Sequence, residues 1–162
     1  MALFKKDTIN TEKELELVAT IYDFITEATD EEMGATSYGE AEAKKSINKK
    51  AKTLEDLLKF DLDGYSGCVD KKLLSSVRDV RNALRDELHA WIQEDKLTLA
   101  GDFDAYRVEQ LIADARSAQY RLKSGIGAFK LEFAKFTDRY KKDHDGNDPD
   151  KEIEEYSIRH NL

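Results

Sequence analysis

A single proline, Pro149, stands near the end of the 162-residue sequence and constrains the fold more than any other feature. Proline inside a helix removes a hydrogen bond and clashes with the preceding turn, so its absence before position 149 leaves long helices free to form. Charged residues make up 37% of the chain, as is usual for helices with solvated faces. We therefore predict an all-α antiparallel bundle of four to five long helices plus a short C-terminal helix. It forms one domain over residues 1–162, with residues 1–10 and 159–162 as frayed ends.

The N-terminal residues and the cysteine content indicate a cytoplasmic protein. Charges at Lys5, Lys6 and Asp7 precede any apolar run, so we expect neither a signal peptide nor a membrane span. The single cysteine, Cys68, cannot form an internal disulfide, which fits a reducing compartment.

Local signals mark where the helices begin. Thr11 and Glu14 have the spacing of a capping box, Asp70 can cap a third helix, and Asp148 with Pro149 suits an N-cap and first helical position. The expected helices are residues 11–33, 40–60, 70–95, 103–142 and 149–158.

The charges are segregated into blocks of alternating sign. Residues 11–43 hold ten acids against one lysine, and residues 44–60 hold six lysines against two acids. Residues 115–142 hold eight bases against two acids, and residues 143–155 hold seven acids against one lysine. Neighbouring blocks of opposite sign predict that the first two helices pair as an antiparallel hairpin.

An aromatic stripe follows two glycines in the longest expected helix. Its members share one face at three- and four-residue spacing: Phe129, Phe133, Phe136 and Tyr140. A helix that continues through Gly125 and Gly127 would overhang its bundle and expose the stripe, which would then need a partner, most simply a second copy of the chain. A helix that breaks there would fold the stripe back onto Leu73, Val77 and Val80. The three- and four-residue rhythm passes through the glycines with only one slipped step, which favours association.

The first helix carries an acidic strip made of Glu12, Glu16, Asp23, Glu27 and Asp30. Like charges four residues apart destabilise an isolated helix, so the strip invites a functional explanation. Such a strip can imitate a phosphate backbone or bind a basic partner. An ordinary solvated helix face explains the same residues. If the strip is functional, Glu16, Asp23 and Glu27, together with the aromatic stripe, are the candidate partner-binding residues.

Residues 141–152 partly match a calcium-binding EF-hand loop. With Gly146 as the turn glycine, Asp143, Asp145 and Glu152 fall at three ligand positions. Lys141, however, stands at the first ligand position, where a carboxylate is needed. A calcium-responsive protein is an alternative, although a solvated acidic turn explains the same residues and we predict no bound metal.

Other chemistry-bearing patterns are weak. The only carboxylate and histidine at helical spacing are Asp86 and His89, and a di-iron bundle needs two such pairs and further inward-facing acids, whereas the inward-facing positions of the other helices are apolar. The lysines of residues 44–52 lack interleaved aromatics and follow an acidic helix, which argues against nucleic acid. Phosphate-binding glycine loops, nucleophile elbows and zinc spacings do not occur.

We therefore expect a non-enzymatic, cofactor-free helical interaction module, an adaptor, regulator or inhibitor that binds a protein partner through helix faces. A small acidic inhibitor of viral or mobile-element type is one concrete version, and self-association is another form of binding. An enzyme with a site assembled from scattered residues of the bundle is a further alternative.

Overall fold

A computed structural model describes residues 9–28, 40–101 and 104–160. Within these ranges the chain forms five α-helices and one 3-10 turn, Asp63–Tyr65, with no strand, which confirms the all-α bundle. The helices are α1 (Thr11–Ala28), α2 (Glu40–Lys59), α3 (Lys71–Leu99), α4 (Ala105–Asp143) and α5 (Asp150–His160). No helix among the described residues has both the length and the apolarity needed to cross a bilayer.

Several predicted boundaries are confirmed. The second helix lies within one residue of its predicted bounds, and α3 begins where the Asp70 carboxylate accepts hydrogen bonds from the backbone N–H groups of Lys72 and Leu73, each at 3.1 Å. Asp148 likewise accepts from the N–H of Asp150 at 2.8 Å at the start of α5. α3 continues to Leu99, four residues beyond the prediction, and α5 remains helical through His160.

The predicted capping box at Thr11 is wrong. The side chain of Asn10 caps α1 instead, accepting from the N–H groups of Glu12 and Lys13 at 3.0 and 3.2 Å. The Thr11 hydroxyl donates to Asp143 at 2.9 Å, so a contact far along the chain has taken the side chain expected to cap the helix. The predicted end of the first helix near Met33 and the loop of residues 34–39 lie outside the described residues, as do most of the predicted frayed ends.

The described residues cluster into two compact units, which we name by the helix that each alone contains. The α5 unit holds α1 as far as Asp23, residues 61–80, and the chain from Gly125 onward. Its buried apolar side chains come from α1, α3, α4 and α5, and include Leu17, Ile21, Leu73, Val77, Phe136 and Ile153.

The α2 unit holds Phe24–Phe60 and Arg81–Ser124. Its described core includes Leu57 of α2, a series on α3 that contains Leu84 and Leu88, and Ala115 and Ala118 of α4. Trp91 and Ala90 pack with Ala115, and Ile112 lies against this cluster.

The hairpin predicted for α1 and α2 stays a prediction for residues 11–23, which cluster with parts of α3 and α4, whereas residues 24–28 cluster with α2. The buried charges of the two blocks have partners on other helices. Glu14, from the acidic block, bonds to Arg139 of α4, and Lys50, from the basic block, bonds to Asp95 of α3. In both blocks, therefore, the buried charge pairs with one of the long helices, α4 or α3.

Candidate interaction surface on α4

The predicted aromatic stripe, which we call the inner stripe, is buried. Phe129, Phe136 and Tyr140 are 4%, 0% and 4% exposed, and Phe133 is half-buried. The prediction that these four residues form an exposed partner-binding surface is therefore wrong. The helix itself is continuous from Ala105 to Asp143, so continuity and burial of the stripe, predicted to exclude each other, occur together.

Contacts from α1 and α3 explain how a continuous helix buries its aromatic face. The guanidinium of Arg139 donates two hydrogen bonds to the Glu14 carboxylate, Nε to Oε1 at 3.0 Å and Nη2 to Oε2 at 2.6 Å. Gly125 lies so close to α3 that a Cβ built there would be 3.3 Å from Cγ2 of Val80. In the α5 unit, α4 therefore contacts α3 at Gly125, just before the inner stripe, and α1 at Arg139, within the length that carries the stripe.

Along the inner stripe, neighbouring rings are 5.8 to 6.0 Å apart between centroids, within the range of favourable aromatic contacts. The series ends where the His144 ring stacks on Tyr140 at 3.8 Å and 9°. Nδ1 of His144 lies 2.9 Å from the Tyr140 carbonyl and Nε2 lies 2.6 Å from Glu12 Oε1. The hydrogen bond to the Tyr140 carbonyl and that to Glu12 raise the pKa of His144 above its usual value.

A second periodic stripe runs along α4 on a face that the protein leaves in water. We call it the outer stripe; its positions are four and three residues apart in alternation, and each is exposed. It consists of Tyr106, Gln110, Ala113, Ser117, Tyr120 and Ser124. Tyr106 and Tyr120 are 77% and 80% exposed, more than any other large apolar side chain described.

Basic residues flank the outer stripe. Six charged residues of α4 border it. Four are basic, Arg107, Arg116, Arg121 and Lys123, and two are acidic, Glu109 and Asp114. Arg121 donates to Asp86 of α3 at 2.9 Å, and although burial acts in the opposite direction, the hydrogen bonds from Arg121 and Arg85 hold the pKa of Asp86 below its usual value. Arg116 and Lys123, seven residues apart on one flank, form no ion pair within the described part of the chain, and their charges face solvent.

An open groove of about 320 Å³ lies beside the outer stripe, between α3 and α4 in the α2 unit. Its lining includes Asp86, Arg121, Ser117 and His89. His89 is exposed, and Ser117 belongs to both groove and stripe. The groove gives this side of the stripe a concave border that a protruding side chain could enter.

The acidic strip of α1 is only partly exposed. Glu16 lies 3.4 Å from Lys13 with its side chain 40% exposed, Asp23 is half-buried and Glu27 is exposed. Glu12 is exposed and holds His144. Asp30 lies outside the described residues. Glu16, Asp23 and Glu27 thus remain a candidate surface; Tyr22, next to Asp23 on α1, is 53% exposed, less than Tyr106 and Tyr120.

The partial calcium motif has a structural explanation. Just after α4, Asp145 adopts a φ of 54°, and the Gly146 N–H donates a hydrogen bond of 2.7 Å to the Lys141 carbonyl. This arrangement is a common helix C-cap. Asp143 accepts from Thr11, and Asp148 caps α5. Among the described residues, no three His, Cys, Asp or Glu side chains are grouped to hold a metal ion.

Buried charges were missed, and the expectation that the inward-facing positions of the other helices are apolar is wrong at Glu14 of α1 and Lys50 of α2, which are both 0% exposed. Lys50 Nζ and Asp95 Oδ2 are 2.6 Å apart, with side chains 0% and 1% exposed. Glu94 is buried next to them, and burial, together with its hydrogen bond to Asp95, raises the pKa of the Glu94 carboxyl. Two turns earlier on α3, Glu87 is also buried and accepts a hydrogen bond from Gln119 at 2.9 Å.

Comparison of the chain with protein-family models, with curated proteins and with solved structures finds no match.

The signal that could have revealed the outer stripe is the seven-residue spacing of Tyr106, Ala113 and Tyr120. Residues seven positions apart lie on one face of a helix. The spacing is visible in the sequence, but the pattern of phenylalanines farther along the same helix is stronger. For the buried Lys50 no signal is evident, since Lys49 and Lys52, close to it in sequence, are also lysines.

Proposed function

We propose that the protein is a non-enzymatic interaction module that binds a protein partner through the outer stripe of α4. The observation that carries this proposal is the exposure of Tyr106 and Tyr120, at 77% and 80%, on a helix face with regular three- and four-residue spacing. Tyrosine is enriched at protein interfaces because it combines a large apolar ring with a polar hydroxyl. Exposed apolar side chains grouped on one face are typical of a binding surface.

The sites of buried charge support a non-enzymatic role over the bundle-enzyme alternative. Lys50 and Asp95 have the residue types of a catalytic pair, but their side chains are 0% and 1% exposed. A substrate from solution would have to displace α2 or α3 to reach them. We infer that these residues fix how α2 packs, a role known for buried ion pairs in other helical proteins.

A photo-crosslinking experiment tests the proposal. A photoreactive phenylalanine analogue is placed at position 120 and, as the matched control, at position 58 on α2, where Leu58 is 58% exposed. In cells that express the protein naturally, we expect a discrete adduct with another protein from position 120 and none from position 58. Adducts of equal yield from both positions, or none from position 120, would overturn the proposal.

A further inference from the structure

We infer that the element that binds the outer stripe is an acidic amphipathic helix of the partner protein. This inference rests on the proposed function and adds the chemistry of the bound element. The stripe is itself a helix face whose two tyrosines are separated by Gln110 and by two small residues, Ala113 and Ser117. Small side chains let a second helix approach closely, while the tyrosines at the ends limit where it can lie.

The length of the surface fits a single helix. Tyr106 and Ser124 are 18 residues apart, which corresponds to about 27 Å of α-helix at 1.5 Å per residue. A partner helix of about five turns would cover it, and the groove that contains Ser117 and Arg121 would accept one of its side chains. This is the mode in which an amphipathic helix lays its apolar residues along a surface at three- and four-residue spacing.

The charges beside the outer stripe indicate which kind of partner helix it would bind. Arg121 is paired with Asp86, whereas Arg116 and Lys123 lie on the opposite flank, which they share with Glu109, and form no ion pair among the described residues. A partner with carboxylates along that edge would place opposite charges together, which favours correct orientation and rapid association.

Nucleic acid fits the surface less well. Glu109 and Asp114 interrupt the two basic flanks, so no continuous basic track is available for a phosphate backbone. Interspersed acids suit a protein helix, because a helix can present a different side chain at each turn. The surface therefore favours a protein with a mostly acidic edge.

The test uses two synthetic helical peptides of about 21 residues with the same leucine and alanine seam, enough to span about 30 Å. One has glutamates along both edges of the seam and the other has lysines. Binding to the full chain is measured by fluorescence anisotropy at low and at physiological salt. We expect the glutamate peptide to bind about tenfold more tightly than the lysine peptide, with a difference that shrinks as salt rises.

The double charge reversal Arg116→Glu with Lys123→Glu should weaken binding of the glutamate peptide about tenfold. Lys45→Glu with Lys52→Glu is the matched control, since these exposed lysines are also seven residues apart but lie on α2. Circular dichroism of both variants verifies that the helices are retained. Equal binding of the two peptides, tighter binding of a single-stranded oligonucleotide, or concentration-dependent self-association through Tyr120 would each overturn the inference.

The two proposals fail in different ways. If the photo-crosslinked adduct from position 120 forms equally well after reversal of Arg116 and Lys123, the outer stripe binds a partner but the acidic-helix inference is wrong. If no adduct forms from position 120, the proposed function itself fails.

Discussion

The inner and outer stripes of α4 carry aromatic residues at the same helical spacing, yet one is core and the other is surface. On the inner stripe every position is a large ring, and Phe136 is 0% exposed. On the outer stripe the other positions between and after the two tyrosines are Gln, Ala and Ser, and Tyr120 is 80% exposed. Periodicity therefore identifies a face of a helix, whereas the size and polarity of the residues between the aromatics tell whether the protein covers that face itself.

The largest expected effect separates the two stripes directly. Phe136→Ala should destabilise the protein by about 3–5 kcal/mol, because it leaves a cavity in a fully buried site. Tyr120→Ala should change the free energy of unfolding by no more than about 0.5 kcal/mol, as is usual for exposed positions. Urea denaturation measures both, and losses of similar size would contradict the assignment of the two stripes to core and surface.

The ionic contact that holds α1 against the inner-stripe end of α4 comes next. Glu14→Gln should cost about 2 kcal/mol, less than for a fully buried pair because the Arg139 side chain is 25% exposed and can still reach water. Glu16→Gln, two positions along the same helix with a side chain 40% exposed, is the matched control and should have almost no effect. Equal melting temperatures for the two variants would show that the Glu14 contact is not stabilising.

The two glycines of α4 sharpen the comparison further, since one faces α3 and the other faces solvent. A Cβ at position 127 meets no atom within 4 Å, so Gly127→Ala should stabilise the protein by up to about 1 kcal/mol through helix propensity alone. At position 125 the Cβ would lie 3.3 Å from Val80, which should cancel that gain. Thermal denaturation that found Gly125→Ala as stabilising as Gly127→Ala would argue against this close approach of α4 to α3.

The smallest effect concerns His144, at the solvent end of the inner stripe. Its pKa is raised in the folded protein by the Tyr140 carbonyl and Glu12, with Asp143 also contributing. Protonated His144 therefore stabilises the fold fully below its usual pKa of 6.5, and this contribution is lost as pH rises through the raised value. Unfolding measured from about pH 5 to about pH 9 should show this decline in the wild type and a flatter profile in His144→Gln. Parallel profiles would show that protonation of His144 does not stabilise the fold.

Local signals predicted α2 and the capped starts of α3 and α5 correctly because they depend on neighbouring residues. Asp70 and Asp148 each satisfy backbone N–H groups two or three residues away, so a short stretch of sequence contains the whole interaction. Thr11 and Glu14 have the same appearance, yet their side chains bond to Asp143 and Arg139, and nothing near them in the sequence reveals this.

The burial of the inner stripe along a continuous helix could not be predicted from a local pattern either. Whether the inner stripe is exposed depends on where α1 and α3 lie, and the overhang argument assumed that they end before reaching it. The buried Lys50 illustrates the same limit, because its exposed neighbour Lys49 is identical in type and only tertiary packing distinguishes them.

The bond between Glu14 and Arg139 also bears on the order in which the protein folds. These residues are 125 positions apart, whereas the polar contacts of α3 with α4 in the α2 unit join residues 32 and 35 positions apart. Contacts between distant residues close larger loops and so tend to form late. Glu14→Gln should then accelerate unfolding while leaving the refolding rate nearly unchanged, a result that stopped-flow kinetics can contradict by showing slower refolding. On this account the first helix is the last to join the others and the first to leave.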